Sequence, residues 1–464
     1  MSSIIQAPGR PLQVAAVSTT RAPQPRPALA VAMLGFAAVA LDAQVTNVAL
    51  PTIHGNLGGG LAGLQWVVTG YTLMFSALLL FAGTFSDRIG ARAAYRRGMI
   101  LFVAASAACG LAPSLPLLIL ARLVQGAGAA LVTPTSLALI REAYQDPGHR
   151  AKAVAYWALG GSVAAAAGPI VGGALAQVDW RLIFFLNLPL GAAAVGILAR
   201  VAPSHRRPVP FDWAGQTSAV AALAAVTYGV IEGGSLGFAS PRIIAAFVIT
   251  AIAFAAFLTA QARGRHPMVP LSLFRSRPIR IALGVALVTM MAFYGVVFLQ
   301  SLYFQQLRGQ SALATGLLFL PMTALVALLN PLVARIAARY GRLAPILGGQ
   351  IGMAAGLVAL GLAPAHTPTI AMALLMIPVG VGGSFTVPPI ASLILDSVAV
   401  QQAGSASGVL NTFRQLGGSF GVAIFGAIVA AQASLLHGLR TSLLATAALL
   451  AVTAVATLTL RTSR

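Results

Sequence analysis

Long apolar segments follow one another along almost the whole chain and constrain its fold more than any other feature. A helix needs about 20 predominantly apolar residues to cross about 30 Å of hydrocarbon, and such segments recur from residue 28 to residue 460. Of the 464 residues, 58% are hydrophobic and only 8% are charged, whereas a soluble domain has about 25% charged residues. The sequence therefore predicts an all-α integral membrane protein.

The apolar segments predict fourteen transmembrane helices. The predicted spans are residues 28–50, 64–84, 95–112, 115–140, 152–176, 182–200, 214–231, 243–262, 280–303, 312–336, 343–363, 368–395, 404–431 and 441–460. An even count puts both termini on the same side of the membrane.

The basic residues orient these spans, because cytoplasmic loops carry an excess of Lys and Arg. Arg122 and Arg414 lie inside spans, and nearly all the other basic residues fall on one side. The exceptions on the other side are Arg181, Arg242, Arg308 and Arg440. This asymmetry predicts cytoplasmic termini and accounts for the formal charge of +21 without nucleic-acid binding. Abundant Ala and Arg with a single lysine is typical of a GC-rich bacterial genome, so we expect a bacterial cytoplasmic (inner) membrane.

A weak internal repeat divides the chain. GTFSDRIGAR at 83–92 follows the second predicted span, and ARIAARYGRL at 334–343 follows the tenth. Parallel repeats of this kind are one of the known transporter designs. The predicted organisation is a disordered cytoplasmic tail, a six-helix bundle, a linker with two extra helices, and a second six-helix bundle with a short tail. The corresponding ranges are 1–27, 28–202, 203–278 and 279–464.

Enzyme chemistry finds no support in the sequence. The only lysine, Lys152, follows Ala151, so no P-loop is present, and neither an HExxH motif nor paired zinc-binding cysteines occur. The GGSFG segment at 417–421 has the G-x-S-x-G pattern but lies within an apolar helix, where small residues favour close packing. We expect no catalytic residue, no metal site and no cofactor other than a proton as coupling ion.

Charged residues inside predicted spans are the strongest functional candidates, because they are costly in a bilayer and usually mark function. Asp42 is the only acid well inside a span, and it lies at the same depth as Arg122. The pair predicts a proton site, while a fixed ion pair that locks two helices remains the alternative. For Arg414, substrate or gate contact and a structural helix anchor both stay open. Glu232 is expected to be a solvated loop residue.

Six motifs in order resemble one family. They are LDAQVTNVALP (41–51), GTFSDRIGAR (83–92), RLVQGAGAA (122–130), GGSVAAAAGPIVGG (160–173), WRLIFFLNLPLG (180–191) and GSASGVLNTFRQLGGSFG (404–421). Together they resemble the major facilitator superfamily, in its branch of fourteen-span drug:proton antiporters, the EmrB/QacA-like multidrug efflux transporters. The first motif departs from the family pattern at Gln44 and Thr46, which leaves the substrate open.

The resemblance implies a role for each motif. It implies proton coupling by Asp42 and Arg122. It implies a cytoplasmic gating motif formed by Gly83, Asp87, Arg88, Gly90 and Arg92. It implies a fifth-span antiporter motif formed by Gly161, Gly168, Pro169, Gly172 and Gly173.

The expected function is proton-coupled export of lipophilic drugs or toxic compounds by alternating access between the two bundles, in a monomer. Polar and aromatic residues near the centre are the candidates for lining the substrate cavity: Tyr71, Phe293, Tyr294, Gln300, Asn330, Asn411, Arg414 and Gln415. Dedicated export of an endogenous metabolite such as an antibiotic is the main alternative, and a non-transporting receptor or channel is another.

Overall fold

The fold is built from helices that cross the molecule in alternating directions. The computed structural model describes residues 25–207, 209–399 and 402–460 and contains no β-strand within these ranges. The first half contains α1 (Pro25–Leu57), α2 (Gly60–Ile89), α3 (Ala91–Gly110), α4 (Leu115–Ala143), α5 (Pro147–Val178), α6 (Leu182–Phe185) and α7 (Asn187–Leu198). The central pair is α8 (Trp213–Leu236) and α9 (Pro241–Arg263). The second half contains α10 (Arg277–Leu302), α11 (Ala312–Leu328), α12 (Asn330–Tyr340), α13 (Leu343–Leu362), α14 (Thr369–Leu375), α15 (Ile377–Asp396), α16 (Ala403–Ala430) and α17 (Leu435–Leu458).

Twelve helical segments among the described residues are long and apolar enough to cross a membrane, rather than the fourteen that the sequence predicted. One of the two missing segments is α3, whose first turns carry Arg92, Arg96 and Arg97 and lower its apolar content. The other is the Leu182–Leu198 segment, which is shorter and interrupted. The count of fourteen is therefore not supported by helix length and composition.

Three predicted spans are interrupted, and proline explains each interruption. The breaks fall at Leu186, Leu329 and Met376. Pro189, Pro331 and Pro378 follow these breaks by two or three residues. Because proline has no backbone N–H and its ring clashes with the preceding turn, the carbonyl four residues earlier loses its helical partner. A π-helical turn at Tyr303–Leu307 also extends α10.

The two ends of the molecule differ in charge. We call one end the arginine-rich end, and it holds the α2–α3 turn at Gly90 together with residues 199–207 and 209–212. The opposite end holds the α1–α2 turn at Gly58 and Gly59. At the arginine-rich end, Asp146 caps α5 by accepting a hydrogen bond from the His149 backbone N–H at 2.7 Å. This hydrogen bond holds the pKa of Asp146 below its usual value.

The central pair α8 and α9 packs on the rest of the molecule through α8, which contacts α2 and α16. Helix α9 is peripheral and exposes apolar side chains such as Ile252, which is 64% exposed, as expected for a face toward lipid. The expectation that Glu232 is a solvated loop residue is wrong. Glu232 lies inside α8 and accepts a hydrogen bond from Trp66 Nε1 at 2.9 Å, because α8 packs directly on α2.

Candidate functional site

Asp42 and Arg122 form a direct ion pair in the interior of the first half. Arg122 Nη1 of α4 lies 2.5 Å from Asp42 Oδ2 of α1, and the side chains are 1% and 0% exposed. The pairing inferred from their matching depth in the sequence is therefore present. Since both charges are removed from water, loss of either partner leaves the other uncompensated at a cost of about 3–5 kcal/mol.

Three further polar side chains complete the surroundings of Asp42, and the sequence reasoning missed them. Gln125 Nε2 and Asn187 Nδ2 donate to Asp42 Oδ1 at 2.9 and 2.7 Å. The Ser106 hydroxyl accepts from both amides at 3.0 Å and donates to the Phe184 carbonyl. Two of the three could have been chosen as candidates from the sequence, because Gln125 and Asn187 lie within motifs that resemble the family.

Arg122 is held in place by α2 as well as by the carboxylate. Its Nε donates to the Val67 carbonyl oxygen at 3.0 Å, and its guanidinium lies 4.3 Å from the centre of the Tyr71 ring. Helix α4 approaches α2 this closely because of Gly126, where a Cβ atom would lie 2.2 Å from the Tyr71 carbonyl oxygen. The glycines after Arg122 thus allow the backbone approach that brings the guanidinium to Asp42.

The fifth-span motif is a surface for close helix packing. A Cβ atom on Gly168 would lie 2.5 Å from Gln44 Cβ, and one on Gly172 would lie 2.7 Å from the Val45 carbonyl oxygen, both on α1. Gly161 faces the Phe36 ring in the same way. Gly173 instead contacts the second half, where its Cβ would lie 2.4 Å from the Ala312 carbonyl oxygen. The motif therefore joins α5 to both α1 and α11.

The proline of this motif also lies between the two halves. The Pro169 carbonyl oxygen would be 2.2 Å from a Cβ atom on Gly316 of α11. Pro169 is buried inside α5 and interrupts its hydrogen bonding locally. The α5–α11 contact therefore combines a close backbone approach with a weakened helix.

The gating motif forms the α2–α3 turn and contacts the segment that follows α7. Gly90 adopts φ +89°, which favours glycine. The Arg92 backbone N–H donates to the Ser204 hydroxyl at 2.9 Å, and the Arg207 backbone N–H donates to the Asp87 carbonyl at 2.7 Å. Ser204 in turn donates to Glu142 Oε2 at 2.5 Å.

The remaining members of the gating motif differ in their surroundings. The Arg88 guanidinium lies 4.9 Å from the centre of the Phe211 ring, so it also contacts the segment after α7. Gly83 has open space around its Cα, since a Cβ atom there would meet nothing within 4 Å. Packing gives no reason for glycine at that position.

The two halves are joined at the opposite end of the molecule. The Ser301 hydroxyl donates to the Asn47 carbonyl at 2.7 Å, and Gln305 Nε2 donates to the Val48 carbonyl at 2.9 Å. Gln177 Nε2 donates to the Ser311 hydroxyl at 3.1 Å. These contacts link α1 and α5 to the ends of α10 and α11.

The predicted cavity residues fall into two groups. Tyr71, Phe293 and Gln300 are buried, and the Gln300 amide has no hydrogen-bond partner in the described ranges. The second group is partly exposed and could therefore contact a substrate: Tyr294, Asn330, Asn411, Arg414 and Gln415. Arg414 Nη1 donates to Asn411 Oδ1 at 3.1 Å, and a Cβ atom on Gly418 would lie 3.0 Å from the Tyr294 ring. Tyr294, Asn411 and Arg414 therefore lie together.

Solved structures share this fold. A peptide transporter POT in complex with sulfate matches with a TM-score of 0.68 at 15% identity, covering 92% of this chain and 94% of the other. The xylose transporter XylE from E. coli, in a partially occluded inward open conformation, matches with a TM-score of 0.63 at 16% identity, covering 93% of this chain and 97% of the other.

Curated relatives are more similar in sequence. The multidrug resistance protein Stp of Mycobacterium tuberculosis is 37% identical, covering 86% of this chain and 75% of the relative. The methylenomycin A resistance protein of Streptomyces coelicolor is 34% identical, covering 89% of this chain and 87% of the relative. The tetracenomycin C resistance and export protein of Streptomyces glaucescens is 31% identical, covering 88% of this chain and 77% of the relative.

Family membership follows from the whole length of the match. The sequence profile of the Major Facilitator Superfamily matches residues 32–422, which span the Asp42–Arg122 pair, the central helices and most of the second half. This family consists of membrane transporters of small molecules and not of enzymes. The chain belongs to the Major Facilitator Superfamily.

Proposed function

We propose that the chain exports lipophilic drugs or toxic compounds across the bacterial cytoplasmic membrane as a proton-coupled antiporter. The observation that carries this proposal is Asp42, a fully buried acid on α1 whose carboxylate is held by Arg122, Gln125 and Asn187. An intramembrane carboxylate with so specific a set of partners is typical of a proton site. In this account a proton binds Asp42 from outside and leaves toward the inside.

Asp42 and Arg122 supply a way to couple the proton to movement. The Arg122 guanidinium compensates the charge of the Asp42 carboxylate, and separation of the two groups leaves an isolated buried charge, whose cost a bound proton would remove. Movement of α1 against α4 during alternating access would cause that separation. One buried acid implies one proton per turnover, so the driving force is about 1.4 kcal/mol per pH unit. Exchange against a neutral compound adds about 2.3 kcal/mol per 100 mV.

We also propose an orientation for the chain and a total of fourteen membrane spans. The arginine-rich end faces the cytoplasm, as the positive-inside rule requires, so both termini are cytoplasmic and the contacts between α1 and α10 close the outer end. Helix α3 counts as a span because its 20 residues cover about 30 Å. It also packs closely on α4, where a Cβ atom on Gly128 would lie 2.6 Å from the Phe102 backbone nitrogen. The Leu182–Leu198 segment completes the first bundle.

The names of the relatives support export as the direction of transport. Three of them are called a multidrug resistance protein, a methylenomycin A resistance protein and a tetracenomycin C resistance and export protein. The last two names favour a second candidate, in which the chain is a dedicated exporter of one endogenous metabolite such as an antibiotic. A broad exporter transports many members of a mixed compound panel, whereas a dedicated one transports few or none.

Transport by purified protein in liposomes tests the coupling. An imposed pH gradient should drive movement of a lipophilic compound, and collapse of the gradient by a proton ionophore should stop it. Addition of the compound should move protons in the opposite direction. Compound movement that continues without a pH gradient would contradict proton coupling and favour a channel.

A further inference from the structure

Arg414 lies in the middle of a membrane-spanning helix. It is eleven residues beyond Ala403, the first residue of α16, which corresponds to roughly 17 Å along the helix axis. A charged group at this depth is costly unless it is paired or reaches water. Its side chain is partly exposed rather than fully buried. The surrounding helices therefore do not enclose the side chain completely.

No carboxylate of the described residues neutralises Arg414. The chain has only eight acidic residues. In four of them the carboxylate pairs with a basic side chain: Asp42 with Arg122, Asp146 with His149, Asp179 with Arg181, and Asp396 with Arg342. Three others accept hydrogen bonds from neutral partners: Glu142 from Ser204, Asp212 from Gln261 and Glu232 from Trp66. Asp87 is exposed at the end of α2.

The guanidinium also has unused hydrogen-bond donors. Of the five N–H groups of an arginine, one bonds Asn411 Oδ1 on the same helix, while the buried Nε has no partner among the described residues. The Tyr294 hydroxyl, on the neighbouring α10, is likewise without a hydrogen bond in the described ranges. The Tyr294 ring packs against Gly418, which lies one helical turn beyond Arg414 on α16. Apart from the bond to Asn411, the donors of this cluster have no acceptor among the described residues.

Comparison with Arg122 argues against a purely structural anchor. Arg122 links helices, because it bonds Val67 on α2 and Asp42 on α1. Arg414 makes no hydrogen bond to another helix in the described part of the chain, and its one bond to Asn411 stays within α16. An anchor that binds no second helix would contribute little to holding helices together.

We propose that Arg414, with Asn411 and Tyr294, binds an anionic group of the transported compound, so that the preferred substrates carry a carboxylate or a similar acid. A planar guanidinium matches a carboxylate with two parallel hydrogen bonds. Because Asp42 already neutralises Arg122, Arg414 leaves the interior with a positive charge that repels cations. The inference rests on the proposed export function and specifies its substrate class.

Binding of three probes that share one aromatic body tests this inference. They are anthracene carboxylate, its neutral methyl ester and the anthracenylmethyl-trimethylammonium cation. Each is titrated by fluorescence anisotropy against the purified full chain at about pH 7. The carboxylate should bind at least about tenfold more tightly than the ester, because a hydrogen bond to a charged group contributes that much or more.

Variants assign the preference to Arg414. R414Q should remove the tenfold difference while ester binding stays unchanged. R414K should keep part of the preference for the carboxylate, because the positive charge remains. It should not keep all of it, because lysine lacks the planar guanidinium that forms two parallel hydrogen bonds. R440Q is the matched control, because Arg440 bonds the Ala363 carbonyl at the opposite end of the molecule, and it should leave the preference intact. The wild-type ranking of the probes needs no variant and remains decisive if R414Q does not fold.

Carboxylate binding no tighter than that of the ester or the cation would overturn the inference, as would an R414Q protein that keeps the preference. Binding is measured without a gradient, so it does not depend on coupling. A protein that prefers the carboxylate but transports nothing would contradict the export function and leave the anion site standing. Transport of cations driven by a proton gradient, without preference for the carboxylate, would support the export function and contradict the anion site.

Discussion

Asn187 Nδ2 of α7 donates a hydrogen bond to Asp42 Oδ1 of α1 at 2.7 Å, although the two residues are 145 positions apart in the chain. The same nitrogen lies 3.0 Å from the Ser106 hydroxyl. The interrupted Leu182–Leu198 segment therefore reaches the candidate proton site directly. Asn187 thereby helps to hold the Asp42 carboxylate in place.

Replacing Asn187 by leucine should reduce both stability and transport. The N187L variant removes one hydrogen bond to a buried carboxylate, which costs about 1.5–3 kcal/mol, and we expect transport to fall about tenfold. Thermal unfolding and liposome transport measure the two effects. N56L is the control, because Asn56 is exposed and bonds only the Thr52 carbonyl of its own helix. Equal effects in both variants would contradict a role for Asn187 at Asp42.

Breaking the ion pair from the Arg122 side should destabilise the protein more than removing both charges. R122Q leaves the Asp42 carboxylate uncompensated and should cost about 3–5 kcal/mol. Adding D42N should restore most of that stability, because no buried charge then remains, but it should not restore transport. Unfolding of the single and double variants measures the coupling energy. Additive effects would show that the two groups do not depend on each other.

A single methyl group on Gly172 should disturb the contact between α1 and α5. G172A places a Cβ atom 2.7 Å from the Val45 carbonyl oxygen, so the helices must separate, and we expect a loss of about 1–3 kcal/mol. G352A in α13 is the matched control, since its Cβ atom would meet nothing within 4 Å. That variant should be neutral or gain about 0.5–1 kcal/mol from helix propensity. Similar unfolding midpoints for the two variants would contradict the packing role.

Removing the Ser204 hydroxyl should loosen the arginine-rich end. S204A loses the bonds to the Arg92 backbone and to Glu142, so amide hydrogen exchange should rise in residues 90–94 and 199–207. S397A should leave exchange there unchanged, because the Ser397 hydroxyl bonds only the Leu393 carbonyl one turn away. Unaltered exchange in S204A would mean that these bonds do not hold the segment.

Much of the fold could be predicted because the bilayer demands long apolar helices, and the loops between them carry the charges. The three interruptions were missed, although Pro189, Pro331 and Pro378 mark them, since proline inside a membrane helix is often tolerated. The place of Glu232 inside α8 was also missed. Its hydrogen bond to Trp66 arises from how α8 packs on α2, and no local pattern carries that information.

The candidate site was predicted in part. Asp42 and Arg122 stand out because charges are rare in apolar segments, and their depths could be compared by counting residues. Neutral partners such as Gln125, Asn187 and Ser106 gave no comparable signal, because polar uncharged residues occur in many membrane helices for packing. Helix rotation decides which of them face Asp42. That rotation is set by contacts such as Gly126 against Tyr71.

Proton flux in the D42N variant would show whether Asp42 carries the coupling proton. Purified protein is reconstituted with a pH-sensitive dye inside the liposomes, a proton gradient is imposed, and cationic, neutral and anionic lipophilic compounds are added in turn. D396N is the control, because Asp396 is an exposed acid paired with Arg342 at the arginine-rich end. We expect substrate-dependent proton flux in the wild type and in D396N, and none in D42N. Flux that survives in D42N would contradict it and leave Asp42 as a structural partner of Arg122.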